Sequence, residues 1–227
     1  MNIFNKIITS NSPIKYIPAH NGIRMANHHN PVSISEQELN YIYRFIKRYN
    51  LKRGYEVATA FGVSAIGIGL AMKETGGKLV TMDAYIEEQY NHCNMYADKI
   101  DVYQESDGLN SVKFLIDLFN LREVVFPTVG WSPTDTIKNI SSIFDLKTEK
   151  LDFVFIDSMH NDIALMNDIK SIITLLDDKY VIFLHDMGGV YENTTPFIIE
   201  YFGKNICRVE ETWYHTGHGL AYITNLE

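Results

Sequence analysis

From Gly54 onward the chain alternates between short apolar runs and helical segments, and no other feature narrows its fold so far. YEVATA, KLVTMDA, VVFPTV, LDFVFID and YVIFLHD are strand-like runs of β-branched and aromatic residues. Between them, SAIGIGLAMKET and the stretches near residues 110–120, 134–144 and 163–176 carry helical spacing. Five strands separated by helices predict an α/β fold: a doubly wound, mainly parallel sheet covered on both faces, with right-handed crossovers. The end of the chain departs from this pattern. ICRVE and LAYIT, joined by the Gly-containing loop TWYHTGHG, predict an antiparallel hairpin on the sheet edge.

A chain of 227 residues that is 46% hydrophobic and 21% charged can bury one core of this kind and is too short for two large domains. A net charge of −8 repels phosphate backbones and anionic membrane surfaces, so nucleic acid and membrane are not expected partners. Cys93 and Cys207, far apart in sequence, form neither a disulfide framework nor a zinc or redox motif, which fits a reducing compartment. The longest apolar stretch, near residues 63–72, falls short of the roughly 18 residues of a membrane span. A soluble, cytoplasmic protein is the expectation, with a homodimer left open. Residues 1–50 read as an N-terminal arm with one helix, covering the site. Pro13, Pro18 and Pro31 break up the arm, and Ser35 and Glu38 then have capping-box spacing ahead of an apolar face of Leu39, Ile42, Tyr43, Ile46 and Tyr49.

In an open parallel sheet, ligands bind outside the carboxyl ends of the strands where strand order reverses. The loop after the first strand, EVATAFGVSA, places small residues at Ala58, Ala60 and Gly62, and the dinucleotide pattern GxGxxG is spoiled by Val63 at its third glycine. The string resembles the ExGxGxG loop of class I S-adenosylmethionine-dependent methyltransferases, with Glu56 at its acidic position, and the resemblance runs from about Gly54 to the end. It implies a Rossmann-like, seven-stranded methyltransferase fold over residues 51–227 and S-adenosylmethionine as cofactor. Alanine at position 58 fits that loop only with ordinary backbone angles, because alanine does not adopt positive φ cheaply. Asp83, about 20 residues past the loop at the end of the second strand, is placed to accept hydrogen bonds from both ribose hydroxyls. Gly130, Trp131 and Ser132 are similar to the stretch that borders adenine in catechol-type O-methyltransferases; by that likeness Ser132 contacts the adenine edge, Trp131 walls the pocket, and Ser64 joins the binding set.

IDSMHNDI resembles the IDxxHxx segment of small-molecule O-methyltransferases, including metal-dependent antibiotic-pathway and sugar-hydroxyl types. That likeness makes Asp157 a catalytic metal ligand and His160 the general base that takes the proton of an acceptor hydroxyl. An imidazole with pKa near 6.5 suits that task at neutral pH, and a divalent ion would lower the hydroxyl's own pKa. In FLHDM, Asp186 stands where relatives carry a second carboxylate ligand and His185 departs from their pattern. The ion is then Mg²⁺ or Mn²⁺, with the imidazole either turned away or favouring Mn²⁺, Fe²⁺ or Zn²⁺. Alternatively His185 and Asp186 bond each other and the neighbouring loop, and the enzyme is metal-free. The reading is an O-methyltransferase for a small hydroxylated acceptor. A non-catalytic nucleoside-binding protein and a nicotinamide-dependent oxidoreductase are the alternatives.

Overall fold

The computed structural model describes residues 34–60, 62–85, 105–159, 161–203, 206–213 and 219–226. Helix α1 (Glu36–Tyr49) opens with the expected capping box: the Ser35 hydroxyl accepts from the Glu38 N–H at 3.3 Å, and Glu38 Oε2 accepts from the Ser35 N–H at 2.9 Å. It ends on Asn50 in the left-handed conformation. Its Leu39, Ile42 and Ile46 are buried, each contributing about 1.5–3 kcal/mol of apolar burial.

The βα alternation follows as β1 (Arg53–Val57), α2 (Val63–Thr75), β2 (Lys78–Asp83), α3 (Glu105–Leu118), β3 (Val125–Val129), α4 (Thr136–Ser141), β4 (Leu151–Ile156), α5 (Asp162–Ile172) and β5 (Leu176–Leu184). After β5 come α6 (Tyr191–Phe202), β6 (Cys207–Arg208) and β7 (Ala221–Thr224). The seven strands are ordered β3-β2-β1-β4-β5-β7-β6; β1 to β5 are parallel, and the terminal hairpin adds β7 antiparallel to β5. Strand order reverses between β1 and β4, so a crevice opens at their carboxyl ends.

Alternate residues feed two cores. Phe153, Phe155 and Phe183 point toward the side holding α1, α2 and α3, whereas Val154, Ile156 and Ile182 point toward α4, α5 and α6. Helix α2 is buried on nearly all sides and relies on close approach: a Cβ at Gly67 would lie 2.5 Å from Leu39, and one at Gly69 would run into Val125. Helix α6 is absent from the sequence expectation. Pro196 sits inside it, Thr194 and Thr195 bond their hydroxyls to the carbonyls one turn back, and packing of Ile198 offsets this poor propensity. Among the described residues, no helix is long and apolar enough to cross a membrane.

Candidate active site

The first wall is the turn from β1 into α2. Met82 of β2 accepts the N–H groups of Ala58 and Thr59 at 2.8 and 3.3 Å, and the Thr59 carbonyl accepts from Gly62 at 2.8 Å. The turn so formed has φ of 71° at Ala58, 46° at Ala60 and 86° at Gly62. This corrects the expectation of ordinary angles at Ala58: the backbone keeps the conformation glycine would favour, and two alanines carry a strain of roughly 1–2 kcal/mol each. Glu56, wholly buried under the turn, accepts from the Thr81 hydroxyl. Burial pushes its carboxyl up to about 7, with Ser64 and Thr81 hydroxyls opposing and the Asp157 and Asp83 charges adding. Among the described residues Glu56 Oε1 has no hydrogen-bond partner.

Asp83 ends β2 and closes the turn. Its Oδ2 accepts from the Ala60 N–H at 2.7 Å and its Oδ1 from the Tyr85 N–H at 2.8 Å. The Asp83 carbonyl accepts from Gly130 N–H at 3.0 Å, drawing the β3 loop to the same edge. There Asp135 accepts from the Trp131 N–H at 2.9 Å, the Trp131 side chain stays about half exposed at 53%, and Ser132 donates to Asp168 of α5.

The second wall is a buried acid–imidazole cluster. Asp157 leaves β4 with its N–H on the Val57 carbonyl at 3.3 Å, and His185 leaves β5 with its N–H on Ile156 at 3.0 Å. The His185 ring puts Nδ1 2.7 Å from Asp157 Oδ1 and 3.5 Å from Asp186 Oδ2, and Nε2 3.3 Å from Glu38 Oε2. Facing ionised carboxylates, which only accept, both ring nitrogens act as donors, an arrangement that favours the protonated ring. Burial opposes that charge, but Asp157, Glu38 and Asp186 together raise the His185 pKa well above the ordinary value. Burial likewise pushes the Glu38 carboxyl up, and the facing His185 outweighs it, holding it below the usual range. The ring is therefore turned inward among carboxylates rather than away from them. Asp157, His185 and Asp186 each offer a ligand atom within 4.8 Å of the others.

A family model described as a methyltransferase domain matches residues 56–187, more than half of the chain. The chain belongs to the methyltransferase-domain family. No curated relative matches the sequence significantly. The fold of this methyltransferase is shared with solved structures at low identity. A Bacillus cereus O-methyltransferase in complex with SAH has 16% identity and a TM-score of 0.63, over 99% of this chain and 91% of that one. TomG, the Streptomyces achromogenes O-methyltransferase in complex with SAM, has 14% identity and a TM-score of 0.61, over 98% and 95%. The SAH-bound Podospora anserina methyltransferase PaMTH1 has 11% identity and a TM-score of 0.58, over 90% and 85%.

Of the residues singled out in the methyltransferase sequence, Glu56, Ala58, Ala60, Gly62, Ser64, Asp83, Gly130, Trp131 and Ser132 lie in or beside the turns at the β1, β2 and β3 tips. Asp157, His185 and Asp186 gather at the neighbouring β4 and β5 tips. His160 and the arm, residues 1–33, lie outside the described residues. Glu38 is the site residue the sequence reading missed. Its capping-box spacing accounted for it locally, while its carboxylate also faces an imidazole from the other end of the chain. The cluster suits a cation once the ring gives up its Nδ1 proton: oxygen and nitrogen donors then converge, and Glu38 Oε1 is buried without a hydrogen-bond partner among the described residues. Strain in the turn is testable. Ala58→Gly should relieve the left-handed alanine and offset part of that gain by glycine's greater unfolded entropy. A net stabilisation of about 0.5–1 kcal/mol is expected, read as a rise in Tm; a fall would show that the Ala58 methyl contributes packing.

Proposed function

We propose that this methyltransferase moves the methyl group of S-adenosylmethionine to a hydroxyl oxygen of a small-molecule acceptor. The observation that carries the reading is the shared edge: a small-residue turn tied to Asp83 stands beside a buried acid–imidazole cluster at the point of strand reversal. The solved O-methyltransferases that carry SAH or SAM on this fold support the same cofactor here. The turn backbone at Ala58, Ala60 and Gly62 approaches the amino-acid end of the cofactor, with Glu56 and Ser64 beneath. Asp83 takes the ribose hydroxyls, and Gly130, Trp131 and Ser132 border the adenine.

Transfer is an in-line displacement: the S–CH₃ bond breaks as an O–CH₃ bond forms, S-adenosylhomocysteine leaves with a neutral sulfur, and the hydroxyl proton goes to His160. Asp157, His185 and Asp186 are the residues that would hold a divalent ion, which would supply a lowered hydroxyl pKa and a fixed acceptor oxygen. With an imidazole among the donors, Mn²⁺ suits the set better than Mg²⁺. The doubly bonded His185 favours a second reading, in which the imidazolium itself supplies the positive charge and no metal is needed. Two cysteines far apart in sequence support a reading in which the enzyme works in a reducing compartment such as the cytoplasm.

The test is a transfer assay with labelled S-adenosylmethionine and a panel of phenols, sugars and other hydroxylated compounds. Methyl ether products are expected, suppressed by chelator and restored by Mn²⁺. Full activity in chelator would retire the metal and keep the transfer. Products methylated on nitrogen or carbon would overturn the oxygen assignment.

A further inference from the structure

Strands β3 and β4 are not neighbours; β2 and β1 stand between them. At about 4.8 Å per strand their tips are roughly 14 Å apart, and no ladder bond can set the spacing of the loops that leave them. Yet Ser132, from the loop after β3, and Ser158, from the loop after β4, donate to one carboxylate: Ser132 Oγ to Asp168 Oδ1 and Ser158 Oγ to Asp168 Oδ2. Asp168 lies in α5 and is 3% exposed. The link continues toward β1, since Ser132 Oγ is 3.4 Å from Thr136 Oγ1, which accepts from the Tyr55 hydroxyl at 3.2 Å. A buried carboxylate is costly to keep unless its partners hold it in place, and transfer as described above leaves Asp168 without a chemical task.

We propose that Asp168 is a positioning residue that fixes the cofactor-side loop after β3 and the acceptor-side loop after β4 at one separation, with one carboxylate oxygen for each. The proposal rests on the reading that these loops are the two walls of the transfer site. A planar carboxylate sets the distance between the two serine oxygens, so releasing either serine lets both walls drift. Methyl transfer is sensitive to that drift because a misplacement of about 1 Å can cost a hundredfold in rate.

The experiment measures S-adenosylhomocysteine affinity by titration calorimetry for wild type, Ser132→Ala, Ser158→Ala, the double variant, Asp168→Ala and Asp168→Asn. Thermal melts establish that each is folded at the working temperature. Ser158 belongs to the acceptor-side loop, yet Ser158→Ala should weaken binding about tenfold, the loss expected for one hydrogen bond to a charged acceptor. The double variant should bind little worse than Ser132→Ala alone, since one broken arm already releases the link. Asparagine can accept from one serine and donate to the other, so Asp168→Asn should restore most of the affinity that Asp168→Ala loses. Unchanged affinity in Ser158→Ala, or additive losses in the double variant, would overturn the proposal and leave Asp168 a stabilising residue that shifts only Tm. Should Asp168→Ala fail to fold, the serine cycle decides alone. Wild-type protein that ignores S-adenosylhomocysteine would instead sink the cofactor reading, and the inference with it.

Discussion

Replacing His185 with leucine is expected to cost about 3–5 kcal/mol, because breaking a buried ion pair from one side leaves the opposing charge uncompensated. Glu38, 2% exposed, would keep its hydrogen bond from Ser35 and lose the imidazole at 3.3 Å, while Asp157 would lose its partner at 2.7 Å. At about 2–4 °C per kcal/mol for a chain of this size, Tm in chelator should fall by roughly 10 °C. The cause is separable from lost packing. Adding Glu38→Gln to His185→Leu removes one of the two stranded charges, leaving Asp157, and should recover part of the loss, whereas Glu38→Gln in wild type should itself destabilise. This reversal of sign identifies charge compensation, since two independent packing defects would add. A Tm within 2 °C of wild type in the single variant would mean that the imidazolium does not hold these carboxylates.

Loss of the proposed base should appear in turnover and not in binding. His160→Ala is expected to reduce methyl transfer about a hundredfold, the lower end of what a positioned general base contributes, with S-adenosylhomocysteine affinity unchanged. The flanking chain is well anchored: Asp157 is tied to β1 through Val57, and Asn161 caps α5 by accepting from Ala164 at 2.9 Å. Rates measured across pH sharpen the assignment. In wild type kcat should fall as pH drops through the pKa of the base, and this acid limb should vanish in the variant. Equal loss of affinity and rate would place His160 in cofactor binding. An unaltered rate would pass the proton to the cluster of Asp157, His185 and Asp186.

Most of the scaffold was legible because it depends on local pattern. The βα alternation, the capping box at Ser35 and Glu38, and the tail hairpin each follow from residues close in sequence. So does the gathering of Asp83, Asp157, His185 and Asp186 at one edge, since parallel strands put all their carboxyl ends together. What escaped depends on long-range partners or on tertiary override. Glu38 had a complete local explanation, and its second partner is 147 positions away. Asp168 reads as an ordinary polar position on α5 until two serines from separate loops meet on it. Ala58 was judged by intrinsic preference, but bonds to Met82 and from Ala60 to Asp83 hold the turn in a conformation that alanine alone would avoid. Helix α6 was hidden by Pro196 and two threonines, and its stability comes from packing on the sheet.

The β1 turn and Asp83 are proposed to hold an adenosyl cofactor at the point where strand order reverses. Titration calorimetry with S-adenosylhomocysteine and with NAD, on wild type and Asp83→Ala, tests it most directly. Wild type is expected to bind S-adenosylhomocysteine and not NAD, and Asp83→Ala to lose at least about tenfold in affinity with its proposed ribose hydrogen bonds. Binding of NAD in preference, or an Asp83→Ala variant that binds S-adenosylhomocysteine as tightly as wild type, would contradict it.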